Sequence, residues 1–153
     1  MLMSLVLGCG TVFISMGVQV AAVVYMVRYL LKIIANKYAQ PKGFRFDAYV
    51  ISVVLAIMFL GHLVQVGIWA LLFIQLDEFN NFQTAFYHST VNFASLGYGD
   101  IVMSEEWRLL GALEASNGVL MFGLSAGTLF SVMSNLFARH TELRIFPADG
   151  SED

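Results

Sequence analysis

Ser95-Leu96-Gly97-Tyr98-Gly99-Asp100 is the stretch on which the reading of this chain turns. Two glycines flank an aromatic residue, and glycine enters left-handed backbone conformations that a Cβ disfavours. In a ribbon that alternates left- and right-handed residues, successive carbonyl oxygens can all point to one side. A ring of such oxygens can replace the water shell of a dehydrated cation. Six residues of this kind mean little alone, and their setting decides what they are.

That setting is apolar. Of the 153 residues, 58% are hydrophobic and only 12% charged, against about 25% charged in an average soluble domain. The composition is that of an integral membrane protein, and its long uncharged runs, taken below, read as helices of an all-α fold. Net charge is −3, with no basic field for nucleic acid. The single cysteine, Cys9, excludes an intrachain disulfide and any multi-cysteine metal site, and no cofactor is expected.

Upstream of the ribbon, Ala48 to Leu76 is a run without formal charge, long enough to span a bilayer at 1.5 Å per residue. Tyr49 and Trp69 suit its two membrane interfaces. His62 and Gln65 interrupt its middle, where a polar side chain normally hydrogen-bonds a neighbouring helix; His62 is read as structural, with proton sensing as the alternative. Downstream, a span from about Glu106 to Arg139 contains 24 uncharged residues after Glu114. Residues 2 to 27 carry no charge either. They lack the basic start of a signal peptide, so they are read as a retained transmembrane helix. It continues to about Ala39, until Pro41 and Gly43 stop it.

Phe79 to Gly99 is also uncharged, but Asn80, Asn81, Gln83, Thr84, His88, Ser89, Thr90, Asn92 and Ser95 leave no clean face for lipid. Asp77 and Glu78 before it, and Asp100, Glu105 and Glu106 after it, read as one watery rim. Irregular backbone inside a membrane is tolerated only where protein buries it or water lines it. The segment is therefore expected to enter and leave on one side, as a helix over 82–94 followed by an extended return. The negative end of that helix would point inward at a cation. Arg28, Lys32, Lys37, Lys42 and Arg45 cluster in the first connection, which marks it as cytoplasmic. The amino terminus should then be outside and the carboxy terminus inside, in a plasma or inner membrane. The same basic cluster is a candidate contact for anionic lipid.

Between two spans, Ser95 to Asp100 resembles the Thr-Val-Gly-Tyr-Gly-Asp filter of potassium channels, the type example of carbonyl coordination. Ser95 stands for threonine and Leu96 for valine. The resemblance is to the bacterial-type P-loop pore-domain family and covers residues 48 to 140. It implies an outer helix, a re-entrant pore helix with extended filter and an inner helix, assembled as a tetrameric pore; the extra N-terminal span lies outside that two-helix plan and brings the expected transmembrane helices to three. The division is 1–40, an N-terminal helix with a basic extension; 41–47, a cytoplasmic connection; 48–140, the pore domain; and 141–153, a short cytoplasmic tail. Within the pore domain, the outer helix is 48–77, the pore helix 82–94, the filter 95–100 and the inner helix 106–139.

By this resemblance, Ser95, Leu96, Gly97 and Tyr98 coordinate permeant K⁺, and Gly99 and Asp100 support them. Tyr87 and His88 occupy the places of the family's bracing aromatics. Gly118 falls near a hinge position, though it suits plain packing equally. Phe122, Ala126 and Phe130 are candidates for the inner cavity wall, unless that stripe faces the second span. No helix carries arginines at every third position, so no voltage sensor of the known kind is expected.

Glu114 is a carboxylate two turns inside the last span, and an intramembrane charge is a functional candidate by default. It is expected to meet His88 or Asn92 and to influence gating, or to fix packing only. The implied function is passive K⁺ conduction by a homotetramer, without enzymatic activity. The alternatives are a non-conducting or regulatory subunit and, further off, a Gly-x-Gly-Asp intramembrane aspartyl protease. The latter chemistry requires two carboxylates able to share a proton. The only partners for Asp100 would be Asp47 and Asp77, and neither is expected at mid-membrane.

Overall fold

A computed structural model describes residues 2–36 and 43–145. Four helices follow in order: α1 (Leu2–Asn36), α2 (Phe44–Gln75), α3 (Phe82–Phe93) and α4 (Arg108–Ile145). No strand occurs among the described residues. Three of the helices are long and apolar enough to cross a membrane, over Leu2–Lys32, Phe44–Gln75 and Arg108–Ala138. Lys37, Lys42 and the tail beyond Ile145 lie outside the described residues.

The helix ends follow from local chemistry. The outer helix starts at Phe44, four residues before the expected Ala48. Gly43 caps it in an extended conformation, and Phe46 N–H bonds the Gly43 carbonyl at 2.9 Å. Asp47 in the first turn faces the positive end of the helix dipole, where a carboxylate is welcome. At the far end, Asp77 takes a left-handed conformation (φ 57°). Its N–H bonds Ile74 and that of Glu78 bonds Phe73, a Schellman closure. Helix α4 begins two residues later than expected and continues to Ile145, because nothing between 139 and 145 breaks helical backbone.

α1 lies against both α2 and α4. Its buried stripe is largely polar: Ser4, Gly8, Thr11, Ser15 and Gln19, then Met26 and Leu30. Steps of three and four residues keep these on one face. Small residues permit the close approach, as is usual between helices in lipid. A Cβ on Gly61 would meet Gln19 Oε1 and Ala22 Cβ at 3.4 Å, and one on Gly8 would run into the Leu113 side chain. Near the amino terminus the Ser4 hydroxyl reaches the Glu106 carbonyl.

Two apolar clusters hold the bundle. One contains Trp69, Phe73, Phe79, Phe93, Leu110 and Met121; the other joins Met26, Leu30, Val50, Val54, Met58 and Leu136. Trp69 is fully buried against Phe73. Trp69, expected to meet a membrane interface, is thus covered by protein and not open to headgroups. Tyr49 is exposed and pairs with the Tyr29 hydroxyl at 3.3 Å.

Gly118 settles how α3 meets α4. Any Cβ there would overlap the carbonyl of Phe93, the last residue of α3. Backbone cannot rotate aside as a side chain does. Gly118→Ala should therefore lower the thermal unfolding midpoint in detergent, at the upper end of the roughly 1–3 kcal/mol typical of overpacking. Gly123→Ala, with nothing within 4 Å, should leave it unchanged. Equal midpoints for the two variants would contradict the close approach.

Candidate functional site

The site begins where α3 ends. Asn81 caps the amino end of this helix by accepting from Thr84 N–H at 2.8 Å. At the other end Ser95 N–H bonds Asn92 and Leu96 N–H bonds Val91, at 2.8 and 2.9 Å. This is again a Schellman closure, with Ser95 as its left-handed residue (φ 57°). The motif usually takes glycine. Ser95 holds the conformation because two hydrogen bonds close around it.

Left-handed residues then recur at every second position: Ser95, Gly97 (φ 58°) and Gly99 (φ 73°), with none at Leu96, Tyr98 or Asp100. The alternation anticipated for the ribbon is therefore a property of the folded chain. All six residues are exposed, including 55% of Leu96 and 66% of Tyr98. A Cβ on Gly97 or Gly99 would meet nothing within 4 Å. Backbone conformation is what these two positions demand, not space.

Two contacts tie down the ribbon's far end. The Tyr87 hydroxyl donates to Asp100 Oδ2 at 2.7 Å. The Glu78 carboxylate accepts from the Ser104 N–H at 2.8 Å and from the Ser104 hydroxyl, joining the α2–α3 turn to the strand of chain that leads into α4. Asp77, Asp100, Glu105 and Glu106 are exposed on these connections. His88, paired with Tyr87 in the sequence, points elsewhere. It is buried among Phe73 and Phe79, with ring centroids 5.5 and 4.8 Å away, and lies 3.3 Å from the Asn92 amide.

Behind α3, the buried face of α4 presents Leu110, Gly111, Glu114, Asn117, Gly118 and Met121. Glu114 is wholly buried. Ser89 and Asn92 of α3 stand beside its carboxyl, yet none of the described side chains meets either oxygen in hydrogen-bond geometry. Of the two partners expected, Asn92 is adjacent, while Ser89 went unnoticed. Ser89 follows His88, the more conspicuous residue, and only the rotation of α3 distinguishes them.

The inner-helix stripe divides. Phe122 packs edge-on against His62, centroids 4.8 Å apart, and against Phe93 at 5.6 Å. Ala126 shares a hollow of about 270 Å³ with Val54, Met58 and His62. Both therefore adjoin the second span, while Phe130 is 74% exposed. Beside the ribbon lies a larger hollow, about 550 Å³, lined by residues that include His88, Asn92, Gly97, Gly99, Arg108 and Gly111.

Residues 49–135, more than half of the chain, match the family model described as "Ion channel". The chain belongs to the ion channel family. No curated protein matches significantly, and neither does any solved structure. The matched region of this ion channel runs from α2 through the ribbon into α4 and omits α1. The family and the three apolar helices together make it an integral membrane protein.

The Tyr87 hydroxyl holds the Asp100 carboxyl below the ordinary carboxylate range. A lowered value favours the tied-down ribbon above the ordinary carboxylate pKa, and this support is lost as pH falls through the lowered one. Tyr87→Phe should therefore move the onset of acid-induced loss of channel current to higher pH. An onset at the wild-type pH would show that this hydrogen bond does not support the ribbon.

Proposed function

We propose that the protein is a potassium-selective channel, with the ribbon Ser95–Tyr98 supplying one quarter of a ring of carbonyl ligands. The observation that carries this reading is the alternation of left-handed backbone at Ser95, Gly97 and Gly99, in a sequence that reads Gly-Tyr-Gly-Asp. A dehydrated cation needs oxygen ligands from all round. One chain covers one side, so the working unit is a homotetramer around the ribbon. The ribbon's exposure supports this: an extended segment with left-handed backbone at alternate residues stands uncovered among the described residues.

The mechanism is passive. K⁺ loses its water to the carbonyls of Ser95, Leu96, Gly97 and Tyr98, with the Ser95 hydroxyl as a further oxygen, and ions advance by mutual repulsion. α3 is re-entrant and directs its negative end at the ion path. Gly99 and Asp100, the latter through Tyr87, hold the outer end. Asp77, Glu78, Asp100, Glu105 and Glu106 give the mouth a negative potential that concentrates cations. The Ser4–Glu106 contact sets the start of α1 on the ribbon's side, in keeping with an outside amino terminus. Arg28, Lys32 and Arg45 then face the cytoplasm, where anionic lipid is their natural partner. Glu114 stands between α3 and α4, where a change at either helix would be felt at the other.

Two linked measurements test the proposal. In mild detergent the mass of the particle should be about four times the 16.9 kDa of one chain, and liposomes containing it should take up radioactive rubidium. Gly97→Ala should abolish that uptake while preserving the tetramer. A Cβ in left-handed backbone costs roughly 1–2 kcal/mol per residue, multiplied over four chains. Uptake by a monomer, or full uptake by Gly97→Ala, would overturn the reading.

A further inference from the structure

Gln19 is a fully buried amide in the middle of α1, outside the region that matches the ion channel family. Its Nε2 donates to Ser125 Oγ of α4 at 2.8 Å and contacts Met58 Sδ of α2 at 3.4 Å. Its Oε1 accepts from Gln65 of α2 at 2.7 Å. Ser125 Oγ also lies 3.0 Å from His62 Nε2, again of α2. Gln65 donates to Gln19 and Gln19 to Ser125, while Ser125 and His62 Nε2 share a bond whose direction follows the imidazole tautomer. The hydrogen bonds thus leave α2, cross α1 and α4, and return to α2.

Ser125 lies between Gly123 and Gly127, and a Cβ at either glycine would meet nothing within 4 Å. One stretch toward the ribbon, Gly118 is seated on the Phe93 carbonyl. The His62 ring bridges the two levels, packing on Phe122 of α4 and on Phe93 at the end of α3, centroids 4.8 and 6.0 Å apart. α4 is therefore fixed to α3 by backbone contact at one level and to α1 and α2 by a polar contact at the next. A polar contact buried in lipid has no water to replace a lost partner, so it holds or releases as a unit.

We infer that Gln19 of α1 is a positioning residue for the permeation path, latching the inner helix α4 at Ser125 so that α1 biases the equilibrium between conducting and non-conducting states. A latch alters an equilibrium only if its bonds differ between the two states. Ser125, flanked by the open Gly123 and Gly127, is where such a difference can arise. His62 and Gln65 complete the latch by bonding the Ser125 hydroxyl and the Gln19 oxygen.

The inference rests on the channel reading, and the test separates the two. Wild type, Gln19→Met, Ser125→Ala and the double variant are reconstituted in planar bilayers, and open probability and K⁺ over Na⁺ selectivity are read from the same records. Each single variant should shift the open-to-closed ratio by about three- to tenfold in the same direction. The double variant should shift it no further, because either change breaks the same bond. Selectivity should be unchanged throughout. Unaltered open probability in both single variants, or additive shifts in the double, would overturn the latch while leaving the channel reading intact. Loss of the tetramer in both would overturn it too, assigning the circuit to assembly. A wild type that passes no current would overturn both proposals.

Discussion

The close approach of α4 to the end of α3, glycine backbone against the Phe93 carbonyl, is the constraint on which the rest depends. It fixes the direction in which α3 ends, and therefore where the Schellman closure at Ser95 delivers the chain. From there the ribbon has little choice: alternation at Gly97 and Gly99, then capture of Asp100 by Tyr87. A larger residue at Gly118 would push α3 outward and misdirect every carbonyl that follows. The aromatic cluster of Trp69, Phe73 and Phe79 backs this contact from the α2 side. It draws His88 away from the ribbon and leaves the Tyr87–Asp100 bond as the visible brace.

Polar groups at membrane depth mark the second level of organisation. Lipid offers no hydrogen bonds, so each buried polar side chain either finds protein or becomes a point of special chemistry. The Gln19, His62, Gln65 and Ser125 group follows the first course. Glu114 lies buried beside Ser89 and Asn92, and no described side chain bonds either of its oxygens. The two sites lie on either side of Gly118 along α4. The inner helix is thus held by unlike contacts above and below the point where it touches α3.

Much of this was legible in the sequence because it depends on neighbouring residues. Uncharged runs located the three long helices, and the polar residues after Phe79 set the short helix apart, observed at Phe82–Phe93 against an expected 82–94. The two glycines announced the positive φ values. Ser95 did not, since its left-handed conformation comes from the helix closure around it. Contacts between helices were harder to read, because they depend on rotation and crossing angle. Gln19 lay hidden in an uncharged run, although Ser4, Thr11 and Ser15 share its face at helical spacing and could have flagged a polar stripe. Phe122 and Ala126 touch the second span, a contact set by the rotation of α4 that spacing alone does not reveal. Trp69 looked interfacial by its distance from Tyr49, and only packing shows it to be buried.

The central claim is that a ring of backbone oxygens from Ser95 to Tyr98 selects K⁺. Its most direct test is the reversal potential of the reconstituted wild-type protein with K⁺ on one side of a bilayer and Na⁺ on the other. Coordination by that ring requires a reversal far from zero, on the side set by the K⁺ gradient, and a further shift as K⁺ is varied at constant Na⁺. A reversal near zero that ignores the K⁺ gradient would contradict the account.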